Sequence, residues 1–112
     1  MVDCAFASVK DEYKHSKAVF VGKLVKTTEN ADAKTFEFRV ERFWKGAKGK
    51  KIKIVVSKTM RFEPFYEAGK SYLIYAFTDE KGVLHTAKCT RGFQLEFAKE
   101  DLKILGKAKI SR

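Results

Sequence analysis

The 112-residue sequence has little proline, little cysteine and no long apolar run. One proline and seven glycines are too few for a low-complexity chain, and no segment reaches the length of a membrane-spanning helix. The two histidines, His15 and His85, have no cysteine or histidine at ligand spacing, so no metal site or cofactor is predicted. The sequence also lacks a glycine-rich loop that would cradle a phosphate group.

Apolar volume and positive charge are what the chain does have. Hydrophobic residues make up 45% of the sequence and aromatic residues 13%, which predicts one packed core and a single domain over residues 1–112. The formal net charge is +10. Such an excess attracts polyanions, although lysines spread along a chain are also typical of a solvated surface that only keeps a protein in solution.

The strand predicted over residues 18–27 organises the rest of the chain, because both of its faces are apolar. One face carries Val19, Val21 and Val25, and the other carries Phe20 and Leu24. A strand of this kind belongs in the middle of a packed sheet or barrel. Gly22 interrupts it, which is typical of the sharp bend that closes a small barrel. An ordinary core strand with an incidental glycine is the alternative.

Four further strands are predicted, over residues 34–44, 51–57, 71–77 and 83–89. The second and third alternate between apolar and polar positions, which is typical of strands with one face on a core. Their predicted core residues are Phe36, Phe38, Val40, Ile52, Ile54 and Val56. The fourth is almost entirely apolar and is therefore predicted to be central. Trp44 is predicted to cover the core rather than to stack on a ligand.

Two short helices are predicted, one over residues 9–15 with Ser8 as its N-cap and one over 98–105 closed by Gly106. Residues 1–7 are predicted as an extended arm and 107–112 as a mobile basic tail. This order of elements favours a mainly β fold, a five-stranded Greek-key barrel of the oligonucleotide/oligosaccharide-binding (OB) type with two short flanking α-helices. An open five-stranded sheet or half-sandwich is the rival.

No catalytic group is predicted, and we expect a protein that is not an enzyme. His85 and Cys89 fall on one face of the fifth strand, but about 13 Å apart along an extended chain, too far for proton transfer. Glu63 and Glu67 lie in a predicted loop without apolar shielding that would raise a carboxyl pKa.

Four segments of the chain resemble netrin-like domains in their order and spacing. They are AVFVGKLV (18–25), FWKG (43–46), AGKSYLIYA (68–76) and CTR (89–91). Together they resemble most closely the bacterial proteins similar to tissue inhibitors of metalloproteinases, over residues 2–106. The resemblance implies an OB-type barrel, a disulfide from the N-terminal arm, and a secreted or cell-surface location reached with a leader that the given chain does not carry.

The family usually opens with Cys-x-Cys, whereas this chain has Val2, Asp3 and Cys4. The first family cysteine and its partner, expected near Phe62, are both absent, while Cys4 and Cys89 match the ends of the other bridge. The resemblance therefore implies a Cys4–Cys89 disulfide, with two reduced thiols as the alternative. It would close a loop of about 85 residues and contribute ~4 kcal/mol. In the inhibitors the amine of the first cysteine chelates the protease zinc, and its absence here argues against inhibition by that route.

The resemblance favours a secreted protein-binding module whose partner is an extracellular protein such as a metalloprotease. Its predicted contact ridge joins the arm to an aromatic loop over 58–70 that either folds onto the barrel mouth or forms a binding surface. The residues of this ridge are Val2, Asp3, Cys4, Ala5, Phe62, Phe65 and Tyr66.

The charge favours a second function, electrostatic binding of an acidic polysaccharide such as a heparin-like or cell-wall polymer. The predicted binding residues surround the turn into the third strand and are Lys45, Lys48, Lys50, Lys51 and Lys53. Lys23 and Lys26 lie on the first strand. The outer face of the second strand offers Glu37, Arg39 and Glu41 and no aromatic ladder, which disfavours specific recognition of nucleic acid. A domain with a purely structural role is a third possibility.

Overall fold

A computed structural model of the chain describes residues 8–46, 50–57, 66–86 and 92–110. The elements, in chain order, are α1 (Val9–His15), β1 (Ala18–Glu29), β2 (Ala33–Lys45), β3 (Lys51–Ser57), β4 (Ser71–Thr78), β5 (Leu84–His85), β6 (Gly92–Gln94), a 3-10 turn (Leu95–Phe97), α2 (Lys99–Leu105) and β7 (Lys109–Ile110).

Strands β1 to β5 form an antiparallel, nearly closed barrel, in which neighbouring strands follow the order β3-β2-β1-β4-β5. The barrel seam lies between β5 and β3, where His85 Nδ1 is 2.7 Å from the carbonyl oxygen of Val55. Two short strands extend the sheet, with β6 pairing with β4 and β7 pairing with β2. The predicted mainly β barrel with two short helices is thus confirmed, and the strand order is consistent with an OB-type fold.

The first part of strand β1, residues 18–22, is buried on both faces, as its sequence predicts. Phe20 and Leu24 lie in the barrel interior, while Val19 and Val21 pack on the outside beneath the two helices. The prediction for Val25 is wrong, because that side chain is 45% exposed. The pairing of β1 with β2 shifts register between Leu24 and Lys26, and this irregularity turns Val25 out of the apolar face.

Gly22 is required by close packing inside the barrel. A β-carbon at this position would lie 2.9 Å from Phe20 Cε2 and 2.9 Å from Phe38 Cβ. The register of β1 against β2 also shifts between Val21 and Gly22. Glycine therefore leaves room for the Phe20 and Phe38 side chains at a point where the strand pairing is irregular.

The N-terminal helix is formed as predicted. Ser8 Oγ accepts a hydrogen bond from the backbone N–H of Asp11 at 3.2 Å, which caps α1. Helix α2 ends at Gly106, whose φ is 77°. Leu102 and Leu105 pack against the apolar cluster on the outside of the barrel.

Three predictions for the C-terminal third are corrected. The fifth strand, predicted over 83–89, is a strand over Leu84–His85, and residues 87–91 lie outside the described ranges. Gly92–Gln94, for which no strand is predicted, pairs with β4. Lys109–Ile110, predicted as part of a mobile tail, pairs with Arg42 and Phe43 of β2. These strands of two and three residues form because β2 and β4 offer unpaired backbone groups to them. They are too short to show an alternating pattern in the sequence.

Candidate functional site

Three cations form one row across the outer face of β1, β2 and β3. Lys23 is the register partner of Arg39, and Arg39 is the partner of Lys51. All three side chains are exposed, and their chain neighbours Leu24, Phe38 and Ile52 point into the core. Because side chains alternate along a strand, the three cations share the opposite, solvent face. We call these residues the cationic row.

A row of like charges is unfavourable for the fold. Neighbouring strands lie about 5 Å apart, and like charges directly opposite each other destabilise a sheet. Unit charges ~5–10 Å apart in water repel each other by about 0.4–0.8 kcal/mol. A polyanion lying across the three strands would remove this repulsion, so the row is suited to binding one.

A second row, next to the first, is mixed in charge. In strand register Lys26 lies opposite Glu37, and Glu37 lies opposite Lys53. Thr28 and Thr35 lie opposite each other in the next row. These five side chains line a depression of about 180 Å³ on the sheet surface. The face therefore combines cations with a carboxylate and two hydroxyl groups.

Two carboxylates on this face have defined neighbours. Glu37 Oε2 lies 3.9 Å from Lys51 Nζ, which is an ion pair but is too long for a hydrogen bond. Glu41 Oε1 accepts a hydrogen bond of 2.5 Å from Ser71 Oγ on β4. Glu37 thus lies within the mixed row, whereas Glu41 lies on the opposite side of the cationic row and is hydrogen-bonded to β4.

The predicted basic residues do not all reach this face. Lys51 and Lys53 lie on it, and Lys50 is exposed immediately before β3. Lys48 lies outside the described ranges. Lys45 is half-buried elsewhere, with its Nζ 2.9 Å from the carbonyl oxygen of Tyr13 and 4.9 Å from the centre of the Tyr13 ring.

Arg39 is the residue whose role the sequence did not show. Its neighbours along the chain on the same face are Glu37 and Glu41, so the local pattern indicates a mixed, weakly acidic strand. Only the pairing of three strands places it between Lys23 and Lys51. The signal that could have found Arg39 is the alignment of three cations across three paired strands. This alignment is visible only when the register of the strands is known.

The predicted protein-binding ridge lies almost wholly outside the described residues. This holds for Val2, Asp3, Cys4, Ala5, Phe62 and Phe65, and equally for Cys89, so the Cys4–Cys89 disulfide remains a prediction.

Tyr66 is described, and it packs as part of the barrel. Its ring centre lies 5.0 Å from that of Phe36, 5.3 Å from that of Phe38 and 4.9 Å from that of Tyr72, in edge-on contacts. Burial raises the pKa of the Tyr66 hydroxyl to about 12. The C-terminal end of the aromatic loop is therefore fixed to the barrel.

Trp44 covers the outer apolar cluster rather than standing free. Its Nε1 donates a hydrogen bond of 3.0 Å to the carbonyl oxygen of Gly106, and its own carbonyl oxygen accepts one from Tyr13 Oη at 3.2 Å. Beside it lies an open groove of about 340 Å³ between the two helices. The groove is lined by Val9, Lys10, Tyr13, Trp44, Ile104 and Leu105.

The barrel seam is joined by a histidine held between two acceptors. His85 Nδ1 lies 2.7 Å from the carbonyl oxygen of Val55, and Nε2 lies 2.8 Å from Asp79 Oδ2. A carbonyl oxygen and an ionised carboxylate only accept hydrogen bonds, so both contacts are satisfied together when both ring nitrogens carry protons. Hydrogen bonding to His85, followed by that from the Val83 backbone N–H, lowers the pKa of Asp79 below its ordinary 3.8.

The lowered pKa predicts an acid-sensitive seam. Because the folded-state pKa of Asp79 is depressed, its stabilising contribution is present above pH 3.8 and is lost as the pH falls through the folded-state value. In the His85→Gln variant we expect the Asp79 pKa to rise toward 3.8 in a carboxyl NMR titration. An unaltered Asp79 titration would contradict the assigned contact.

The described part of the chain shows neither a metal centre nor a membrane span. Within residues 8–46, 50–57, 66–86 and 92–110, no three His, Cys, Asp or Glu side chains are grouped so as to hold a metal ion. In those same ranges no helix is long and apolar enough to cross a membrane. Comparison with known proteins found no matching family model and no matching curated protein.

Proposed function

We propose that this domain binds acidic polysaccharides electrostatically, through the outer face of β1, β2 and β3, and catalyses no reaction. The observation that carries the proposal is the cationic row, in which Lys23, Arg39 and Lys51 are adjacent in register and exposed. Lys26 and Lys53 extend the positive field along the same face. Clustered cations attract a polyanion from a distance and release its counterions on contact.

A polysaccharide fits this face better than a nucleic acid does. Proteins that hold single strands on a barrel of this type stack bases on aromatic side chains. The outward positions of β2 from Thr35 to Glu41 carry no aromatic ring, and two of them, Glu37 and Glu41, are carboxylates, which repel anionic groups and accept hydrogen bonds from donors. A sugar polymer needs no stacking partner and offers hydroxyl groups to such carboxylates.

The proposal predicts heparin binding that weakens steeply with salt. If the polymer neutralises about three charges of the row, the affinity falls roughly 40-fold between 50 and 200 mM NaCl, given a slope of ~0.9 per contact. Isothermal titration calorimetry at four salt concentrations measures the slope of log affinity against log salt concentration. Binding that does not change with salt, or no binding at 50 mM, would contradict the proposal.

A protein-binding module similar to the tissue inhibitors of metalloproteinases, secreted and clipped by a Cys4–Cys89 disulfide, is the second candidate. The described residue that bears on it is Tyr66, whose ring packs against Phe36 and Tyr72 and so joins the following chain to the barrel core. We expect a pull-down of extracellular proteins to lose its partner when Phe62 and Phe65 are changed to alanine. An unchanged capture would remove this candidate.

A further inference from the structure

The depression beside the cationic row contains a group that a simple polyanion receptor does not need. Glu37 lies between Lys26 and Lys53 in register. In the function proposed above, this face binds its ligand through positive charge. A carboxylate there repels every sulfate, phosphate or carboxylate of a bound polymer. In the free protein Glu37 offsets the repulsion among the neighbouring lysines. It favours a bound ligand only if that ligand brings hydrogen-bond donors, because an ionised carboxylate accepts and does not donate.

The surroundings of Glu37 leave its oxygens able to accept. The contact with Lys51 Nζ, at 3.9 Å, is longer than a hydrogen bond. The Glu37 side chain retains 20% of its exposure, so a ligand in the depression reaches it. Thr28 and Thr35 line the same depression, and each hydroxyl adds one donor and acceptor sites.

The size of the depression limits what it holds. Its volume of about 180 Å³ is below the ~300–1,000 Å³ typical of pockets for drug-sized ligands, which fits one unit of a polymer lying across the sheet. Lys26 and Lys53 flank that unit on the two neighbouring strands. A unit bearing both hydroxyl groups and an acidic substituent matches this mixture of acceptors and cations.

We propose that this depression is a sugar subsite in which Glu37, aided by Thr28 and Thr35, binds hydroxyl groups of an acidic sugar while Lys26 and Lys53 bind its anionic substituent. The inference rests on the function proposed above and adds a specificity to it. The cationic row supplies affinity for any polyanion, and the subsite selects polymers that carry hydroxyl groups. Inorganic polyphosphate, which lacks hydroxyl groups along its chain, meets the row but gains nothing from the subsite.

The test compares two polymers and two carboxylate variants. Heparin and long-chain inorganic polyphosphate are titrated at one ionic strength against the wild type, Glu37→Gln and Glu41→Gln. Both substitutions remove one negative charge from the same face, but Glu41 lies outside the depression. Thermal unfolding of each variant verifies that it is folded.

We expect the ratio of heparin to polyphosphate affinity to fall about five- to tenfold in E37Q, because a charge-assisted hydrogen bond is roughly twice as strong as a neutral one. In E41Q that ratio should stay within about twofold while both affinities rise slightly. Parallel changes in E37Q and E41Q would overturn the subsite and leave the polyanion-binding function standing. If the wild type binds neither polymer, the function itself fails, and the subsite with it.

Discussion

Replacing Lys23, Arg39 and Lys51 together by glutamine lowers the affinity for heparin about 100-fold near 100 mM salt. Each basic side chain at an anionic surface contributes about 1 kcal/mol, and three such losses correspond to roughly two orders of magnitude. The slope of log affinity against log salt should fall by two to three units, because three fewer counterions are released. Isothermal titration across a salt series measures both quantities.

A matched variant separates the geometry of the row from net charge. Lys10, Lys14 and Lys103 are also exposed but belong to α1 and α2. Changing these three to glutamine removes the same charge, yet we expect less than about a threefold loss of affinity because only long-range attraction is reduced. Equal losses in the two triple variants would show that total charge, and not the row, governs binding.

The Gly46→Ala variant is expected to lose about 3 kcal/mol or more of unfolding free energy. Gly46 follows β2 with a φ of +65°, a conformation that costs a non-glycine residue ~1–2 kcal/mol. A β-carbon there would also run into the backbone carbonyl oxygen of Lys17, which precedes β1 and cannot rotate away as a side chain would. Urea denaturation followed by circular dichroism measures the loss.

Gly82 is the control for this prediction, since it has a similar φ of +81° but nothing within 4 Å of its β-carbon position. Gly82→Ala should therefore lose only the ~1–2 kcal/mol of backbone strain. If both variants lost the same amount, the close approach between Gly46 and Lys17 would play no part in stability. The comparison thus isolates the steric contribution at the end of β2.

The parts of the fold that follow from local patterns were predicted from the sequence. Alternation in residues 34–44 and 51–57 indicates strands with one buried face, and β2 and β3 have the predicted inward residues. Ser8 caps α1 because the cap needs only the next three residues. Gly106 follows the last residue of α2 at positive φ, as its place after the helix indicates.

The parts that were missed depend on pairing between distant segments. β6 and β7 have two or three residues each, and only the edges of β4 and β2 make them strands. Val25 turns outward because of a register shift against β2, which residues 18–27 do not reveal. The same limit applies to the site, where the cationic row depends on the pairing of three strands.

Lys45 shows the opposite error, in which a sequence cluster is divided by the fold. It adjoins the basic turn along the chain, but its ammonium group binds the carbonyl oxygen of Tyr13 at the end of α1. Proximity in sequence therefore groups Lys45 with lysines that the fold places on a different surface.

The central claim is that the outer face of β1, β2 and β3 is where an acidic polysaccharide binds. Titrating isotope-labelled protein with a heparin oligosaccharide, and following the backbone amide NMR signals, tests this most directly. The account predicts the largest shifts at Lys23, Arg39 and Lys51, smaller ones at Lys26 and Lys53, and little change along α1 and α2. Shifts concentrated on the helices, with the signals of the three strands unmoved, would contradict it.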